Sequence, residues 1–167
     1  PGGGGPDRHG GPRGAGVGPL LYFLDCEFNG FGGELISLAL SGEVSELYLV
    51  RPESELNGLV AHAWVENHVL PFLSLPDARP RILPRDQFGR ALQDFFAGDA
   101  APSVIADWPE DLVHLMQCLI LSPGQMVRIP DLTLRLMNTS AYPTERTDAV
   151  QHNALWDARA LRHAVVG

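Results

Sequence analysis

The chain contains no lysine: all twelve of its basic residues are arginine, set against twenty aspartates and glutamates, for a net charge of −8. Without lysine there is no Schiff-base former, no lysine nucleophile and no lysine general base, so reaction classes built on them are excluded. The acidic balance argues against a protein that holds nucleic acid mainly by neutralising phosphates with its own cations. It leaves room for an enzyme whose divalent ions, seated on carboxylates, meet the phosphates instead. Cysteine is scarce: Cys26 and Cys118 lie within apolar patterns, too few for a disulfide framework or a zinc site, and read as reduced core thiols. No apolar run nears the roughly 18 uncharged residues a membrane span requires, and the start of the chain lacks the short apolar core of a secretory signal. The expectation is a soluble, cytoplasmic protein with no membrane partner.

What is present is enough for one α/β domain. Of 167 residues, 45% are hydrophobic, sufficient for a core of ordinary size. Residues 1–18, PGGGGPDRHGGPRGAGVG, are dominated by glycine and proline without apolar periodicity, which predicts a flexible tail ahead of a single domain over 19–167. His9 goes with that tail. From Leu20 an apolar strand pattern runs to LDCEF, a glycine-rich turn spans Asn29 to Gly33, Glu34 to Leu40 resumes as a second strand, and SELYLV (45–50) is a third. Short turns between them predict an antiparallel meander. Helical spacing predicts helices over 58–70, with His62 and His68 as ordinary helix histidines, and over 85–98; the proline-rich stretch 74–84 reads as a loop. SVIADW (103–108) reads as a buried strand feeding a helix that opens at Pro109, 126–138 is strand-like or mixed, and 139–151 is polar and turn-rich. Asn153 is a plausible N-cap for a last helix with Ala154, Ala158, Leu161 and Val165 on one face.

The chemistry concentrates in acids. Asp25 and Glu27 end the first strand one residue apart, and strand alternation turns both to one face. At about 4 Å and an effective dielectric of about 20, such a pair costs roughly 4 kcal/mol, which points to bound cations. Further acids stand at the strand-to-helix junction, Asp107 and Asp111, and in the first turn of the last helix, Asp157. Acids at those places also suit the helix dipole or a cap, so each has a purely structural explanation; Asp25 with Glu27 does not. Asp111 and Asp157 each precede a buried-face leucine by four residues, which aims them inward. His152 precedes Asp157 by five residues, off its face in a regular helix, but able to lean over the same site from a loop before the helix.

LDCE, then ADWPED entering a helix, then HNALWD, in that order over residues 21 to 162, resembles the DEDDh branch of the DnaQ-like 3′-to-5′ exonucleases. WVENHVLPFL with FNGFGGELISLAL is further similar to the small exoribonucleases that include RNase AS. The second motif departs from the family: Ala106, Asp107 and Trp108 stand where His-Asn-Ala is common, so Asp107 and Asp111 compete, and position favours Asp111. The resemblance implies an RNase H-like mixed sheet, three antiparallel strands first, flanked by helices. It implies that Asp25, Glu27, Asp111 and Asp157 hold two Mg²⁺ or Mn²⁺ ions, that His152 is the general base, and that the 3′ end of single-stranded RNA is the substrate, released as nucleoside monophosphates. Phe28, Asn29 and Phe31 become candidates for receiving the terminal nucleotide, although packing explains the phenylalanines as well. Glu34 could meet a ribose hydroxyl, and Arg128, Arg135, Arg146, Arg159 and Arg162 could meet phosphates. Relatives of this kind suggest a homodimer. The alternatives are a catalytically silent nucleic-acid-binding or scaffold domain of the same fold, or an exonuclease acting on DNA or short oligonucleotides.

Overall fold

The computed structural model describes residues 20–139 and 150–167. The tail expected over 1–18, most of the polar segment 139–151 and Arg146 lie outside the described residues. In chain order the elements are β1 (Leu21–Phe28), β2 (Leu35–Gly42), β3 (Glu46–Val50), α1 (Glu53–Leu56), α2 (Ala63–His68), β4 (Arg81–Ile82), α3 (Phe88–Phe96), β5 (Ser103–Ala106), α4 (Pro109–Cys118), β6 (Ile120–Ser122), β7 (Gln125–Met126), β8 (Thr133–Leu136) and α5 (Ala154–Val166).

Six strands form one mixed sheet in the order β4-β3-β2-β1-β5-β8, and β6 with β7 makes a separate hairpin. The expected meander is present: β1 pairs antiparallel with β2, and β2 with β3. β5 lies parallel beside β1, β8 parallel beside β5, and β4 parallel beside β3, so β2 alone runs against the others in this sheet.

Strand alternation divides the core into two layers. Tyr22, Leu24 and Cys26 of β1 join Leu38, Leu40, Leu47 and Leu49 beneath Phe88, Leu92 and Phe96 of α3 and Leu115 of α4. The other face carries Phe23, packed with Ile105 and Leu161, and beside it Tyr48 and Val50 under Val65, Ala154, Leu155 and Ala158. The sheet is therefore covered on both sides, by α3 and α4 on one and by α5 and α2 on the other. Asp25 and Glu27, in step with Phe23, belong to the α5 side. Among the described residues no helix is long and apolar enough to cross a membrane.

Three local expectations are corrected. The helix expected over 58–70 contracts to Ala63–His68 because the backbone ahead of it is held elsewhere. The Asn29 amide donates to the Val60 carbonyl at 3.0 Å and accepts from the His62 N–H at 2.8 Å, while His62 itself caps α2 by accepting from the Trp64 N–H. The stretch 74–84 is not all loop: Arg81 and Ile82 pair with Leu49 and Val50, a strand of two residues, too short to show a period. The helix expected from 85 starts as a 3₁₀ turn over Arg85–Gln87 before α3.

Asn153 ties the site-bearing end of α5 to the sheet. Its side-chain oxygen accepts from the Trp156 N–H at 3.1 Å, and its amide nitrogen donates to Tyr48 Oη at 3.1 Å and the Phe72 carbonyl at 2.7 Å, all in a fully buried position. Replacing it loses a cap and strands buried polar partners. Asn153→Ala is expected to destabilise the protein by about 2–4 kcal/mol. Urea unfolding measures this; a loss no larger than that of an exposed cap would contradict the role.

Candidate metal centre

Three segments bring their acids to one end of the sheet. Asp25 and Glu27 point from β1 toward α5 beside a β-bulge: Glu27 pairs with Ser37 and Phe28 with Leu35, leaving Ile36 as the extra residue of β2. The chain leaves β5 at Ala106 and enters α4 at Pro109, whose fixed φ and missing N–H suit a first helical position. Asp111 then falls in the first turn of α4 and is 2% exposed. Cys26 Sγ donates to the Asp111 carbonyl at 3.9 Å, joining that turn to β1. Asp157 occupies the first turn of α5. His152 precedes the N-cap with φ at +65°, a left-handed conformation costly for a residue with a Cβ, and its N–H donates to Asp157 Oδ2 at 2.8 Å. The histidine and the aspartate, which would diverge in one regular helix, are thus joined by a turn.

The electrostatics are those of crowded like charges. Burial raises Asp25 well above the ordinary carboxylate range, and Asp111, Asp157, Glu27 and Asp107 raise it further. Glu27 is pushed up to about 8 by burial, then by Asp157 and Asp111. Asp111 is pushed up to about 8 by burial, then by Asp107, with Glu110 and Asp157 adding to it and a hydrogen bond involving Cys26 opposing it. Burial and the neighbouring charge of His68 lower His152.

These residues suit a hard divalent cation. Glu27, His152 and Asp157 can each offer a ligand atom within 4.8 Å of the others. Asp111 Oδ2 is buried without a hydrogen-bond partner among the described residues, an orphaned charge-bearing oxygen beside the other carboxylates. A donor set dominated by carboxylate oxygen fits Mg²⁺ or Mn²⁺ rather than a thiolate-seeking metal.

The two acids that compete at the second motif both face the cluster. Asp107 does not cap α4, whose N-cap is Trp108 with no side-chain cap bond; its Oδ2 accepts from Thr139 Oγ1 at 3.2 Å. Asp111 is the more buried of the two.

The candidate nucleotide contacts separate. Phe28, out of step with Glu27, turns to the α3 and α4 side, its ring 5.0 Å from that of His114. Asn29 spends its amide on the 60–62 backbone, as described above. Phe31 is 86% exposed at the tip of a loop that requires its glycines: Gly30 and Gly32 have φ near +75° and +70°, and a Cβ on Gly33 would meet the Asn29 carbonyl oxygen at 2.0 Å. Its ring lies 6.0 Å from that of Trp108, which is 45% exposed. Glu110 fastens the two, accepting from the Gly32 N–H at 2.6 Å and from Trp108 Nε1 at 3.1 Å. Glu34 pairs with Arg51 at 3.4 Å. Arg159 is engaged as a structural clamp, donating to Glu46 at 2.8 and 2.5 Å and to the Asp77 carbonyl at 3.0 Å. Arg128 and Arg135 are exposed and Arg162 is half-buried.

Sequence reasoning passed over an aromatic wall on the other flank. Trp64 stacks on His68 at 5.0 Å and meets the His152 ring in a T-shaped contact at 4.7 Å. His68 Nδ1 donates to the Trp64 carbonyl at 2.9 Å. The four-residue spacing of Trp64 and His68 was a readable signal of their contact, but nothing in the sequence tied either to His152. No protein-family model matches the chain, and no curated protein matches it either.

The raised carboxylates fix the sign of a pH effect. Asp25, Glu27 and Asp111 hold protons in the folded state that the unfolded chain, with ordinary carboxylate values near about 4, has already released. Their contribution to stability is complete below the unfolded value and is lost as pH rises through the raised folded values, about 8 for Glu27 and Asp111. Metal-free protein is expected to melt lower at about pH 9 than at about pH 6, by on the order of 5 °C, and Asp111→Asn to reduce that difference. Calorimetry across pH in a chelator tests it; a melting temperature flat or rising over that interval would contradict the crowding.

Proposed function

We propose that this chain is a divalent-metal-dependent 3′-to-5′ exonuclease acting on single-stranded RNA, built on an RNase H-like sheet. The observation that carries the reading is the meeting of Asp25, Glu27, Asp111, Asp157 and His152 from three separate segments at one end of the sheet. The strand order β3-β2-β1-β5-β8 with β2 reversed supports the fold assignment. The three sequence motifs that resemble the DEDDh exonucleases supply these same five residues.

In this reading Asp25, Glu27, Asp111 and Asp157 hold Mg²⁺ or Mn²⁺. Ions bound there supply charge neutralisation for the scissile phosphate and acidify water. The chain's own contribution is position and proton transfer. His152, whose hold on a proton is weakened by burial and by His68, is suited to accept a proton from an attacking water near neutral pH, a task for which an ordinary carboxylate is too weak a base. Trp64 limits the swing of its ring, and the bond to Asp157 fixes its backbone. Asp111, more buried than Asp107 and with an oxygen that has no hydrogen-bond partner among the described residues, is the better ligand of the pair. Phe31 and Trp108 offer exposed rings on which bases of an unpaired strand can stack. The preference for RNA rests on the resemblance.

Asp25→Ala and Asp157→Ala are each expected to abolish Mn²⁺-dependent release of nucleoside monophosphates while the protein stays folded. His152→Ala is expected to slow release by about 10²–10⁴-fold with metal binding kept. Product analysis on matched RNA and DNA oligonucleotides blocked at either end reads polarity and sugar preference together. Undiminished release by either aspartate variant would sink the two-metal reading; loss of metal binding in the histidine variant would make His152 a ligand instead of a base.

A further inference from the structure

Beyond the glycine loop, on the side away from α5, a groove of about 370 Å³ is lined by Gly32, Gly33, Glu34, Leu35, Arg51, Arg85, His114 and Gln117. Its size suits one nucleotide unit. α4 connects the groove to the acids: His114, on its wall, follows Asp111 by three residues, one turn further along the same buried face of the helix. Gly32 and Gly33 contribute backbone without side chains, and the Gly32 N–H is already taken by Glu110.

The two arginines differ. Arg51 is compensated, by Glu55 at 2.8 Å and Glu34 at 3.4 Å, and it also donates to the Leu35 carbonyl at 3.1 Å. The Arg85 guanidinium has no carboxylate within ion-pair distance among the described residues, the nearby Glu55 carboxylate accepting instead from the Arg85 backbone N–H at 3.2 Å and from Arg51. The Arg85 guanidinium stands 5.8 Å over the Phe88 ring, a cation–π contact that orders the side chain without neutralising it. In a chain of net charge −8, an ordered and uncompensated guanidinium facing an open groove is an anion site in waiting. Gln117 adds an amide for the same ligand.

We propose that this groove binds a backbone phosphate of the single strand that enters the metal centre, with Arg85 as its cation. The inference rests on the exonuclease reading for the identity of the ligand, and on the groove for its place. It makes the acidic protein's hold on its substrate bipartite, with carboxylates and metal at the cleaved end and a protein cation on the strand leading to it.

Binding of a fluorescent RNA hexanucleotide in Ca²⁺, measured by anisotropy across salt concentrations, tests the site. Arg85→Gln is expected to raise Kd about tenfold and to flatten the salt dependence by about 0.7 in log–log slope, the share of one phosphate on a single strand. Arg85→Lys should restore most of the slope. A hexanucleotide with methylphosphonates upstream of its last linkage should bind native and Arg85→Gln protein alike. Unchanged Kd and slope in Arg85→Gln, or an equal loss on the methylphosphonate strand, would overturn the site. The reading beneath it is judged separately by Mn²⁺-dependent nucleotide release from the native protein: binding through Arg85 without release would keep the site and remove the exonuclease, and release with Arg85→Gln binding unchanged would do the reverse.

Discussion

Mutual repulsion among buried carboxylates is the constraint on which the rest of this molecule depends. Asp25, Glu27, Asp111 and Asp157, with Asp107 beside them, occupy one end of the sheet, where burial first and the neighbouring carboxylates second raise the proton affinity of Asp25, Glu27 and Asp111. A single close pair costs roughly 4 kcal/mol at an effective dielectric of about 20. The N-termini of α4 and α5 point their partial positive charge at the cluster, but each contributes only about 0.3–1 kcal/mol to a nearby acid, too little to balance the set. Protons or divalent cations must carry the difference. A fold that merely needed to be stable would not retain such a site, since most of the cost would vanish on replacing Asp25 or Glu27 with neutral residues.

The surroundings hold the repelling groups in place. Helices on both sides of the sheet fix the register of β1, because a one-residue slip would drive Asp25 and Glu27 into the apolar layer of Leu38 and Leu40 and take Leu24 and Cys26 out of it. Asn153 fixes the start of α5 to Tyr48 and the Phe72 carbonyl, which holds His152 and Asp157 over Glu27. Asn29 and Glu110 pin the glycine loop from two directions, to the backbone before α2 and to the first turn of α4. The two flanks of the site, Trp64 with His68 and Phe31 with Trp108, are therefore attached to the same short stretch that follows Glu27.

Much of this was legible in residue order, and the limits have physical causes. The meander over 20–50 could be read because its strands are long enough to show alternation, and α5 because a cap, an apolar face and a first-turn acid agree. Asp25 and Glu27 were conspicuous since no local preference favours two acids at a strand end. The contraction of α2 was hidden, as it follows from a bond between Asn29 and residues some thirty positions away. β4 was hidden by its length of two residues. Phe28 shows how a motif and a period can compete: proximity in sequence suggested the rim, whereas alternation from Glu27 already pointed it to the other face. Arg159 looked available for phosphate until Glu46, 113 positions earlier, took it. The groove of Arg85 joins four segments and leaves no trace in any one of them.

The arrangement of carboxylates as a seat for divalent metal is tested most directly by anomalous diffraction from crystals soaked in Mn²⁺. Two manganese peaks bounded by Asp25, Glu27, Asp111 and Asp157, both lost in Asp25→Asn crystals, are the expected result. Crystals that take up manganese elsewhere, or none beside those four carboxylates, would contradict it.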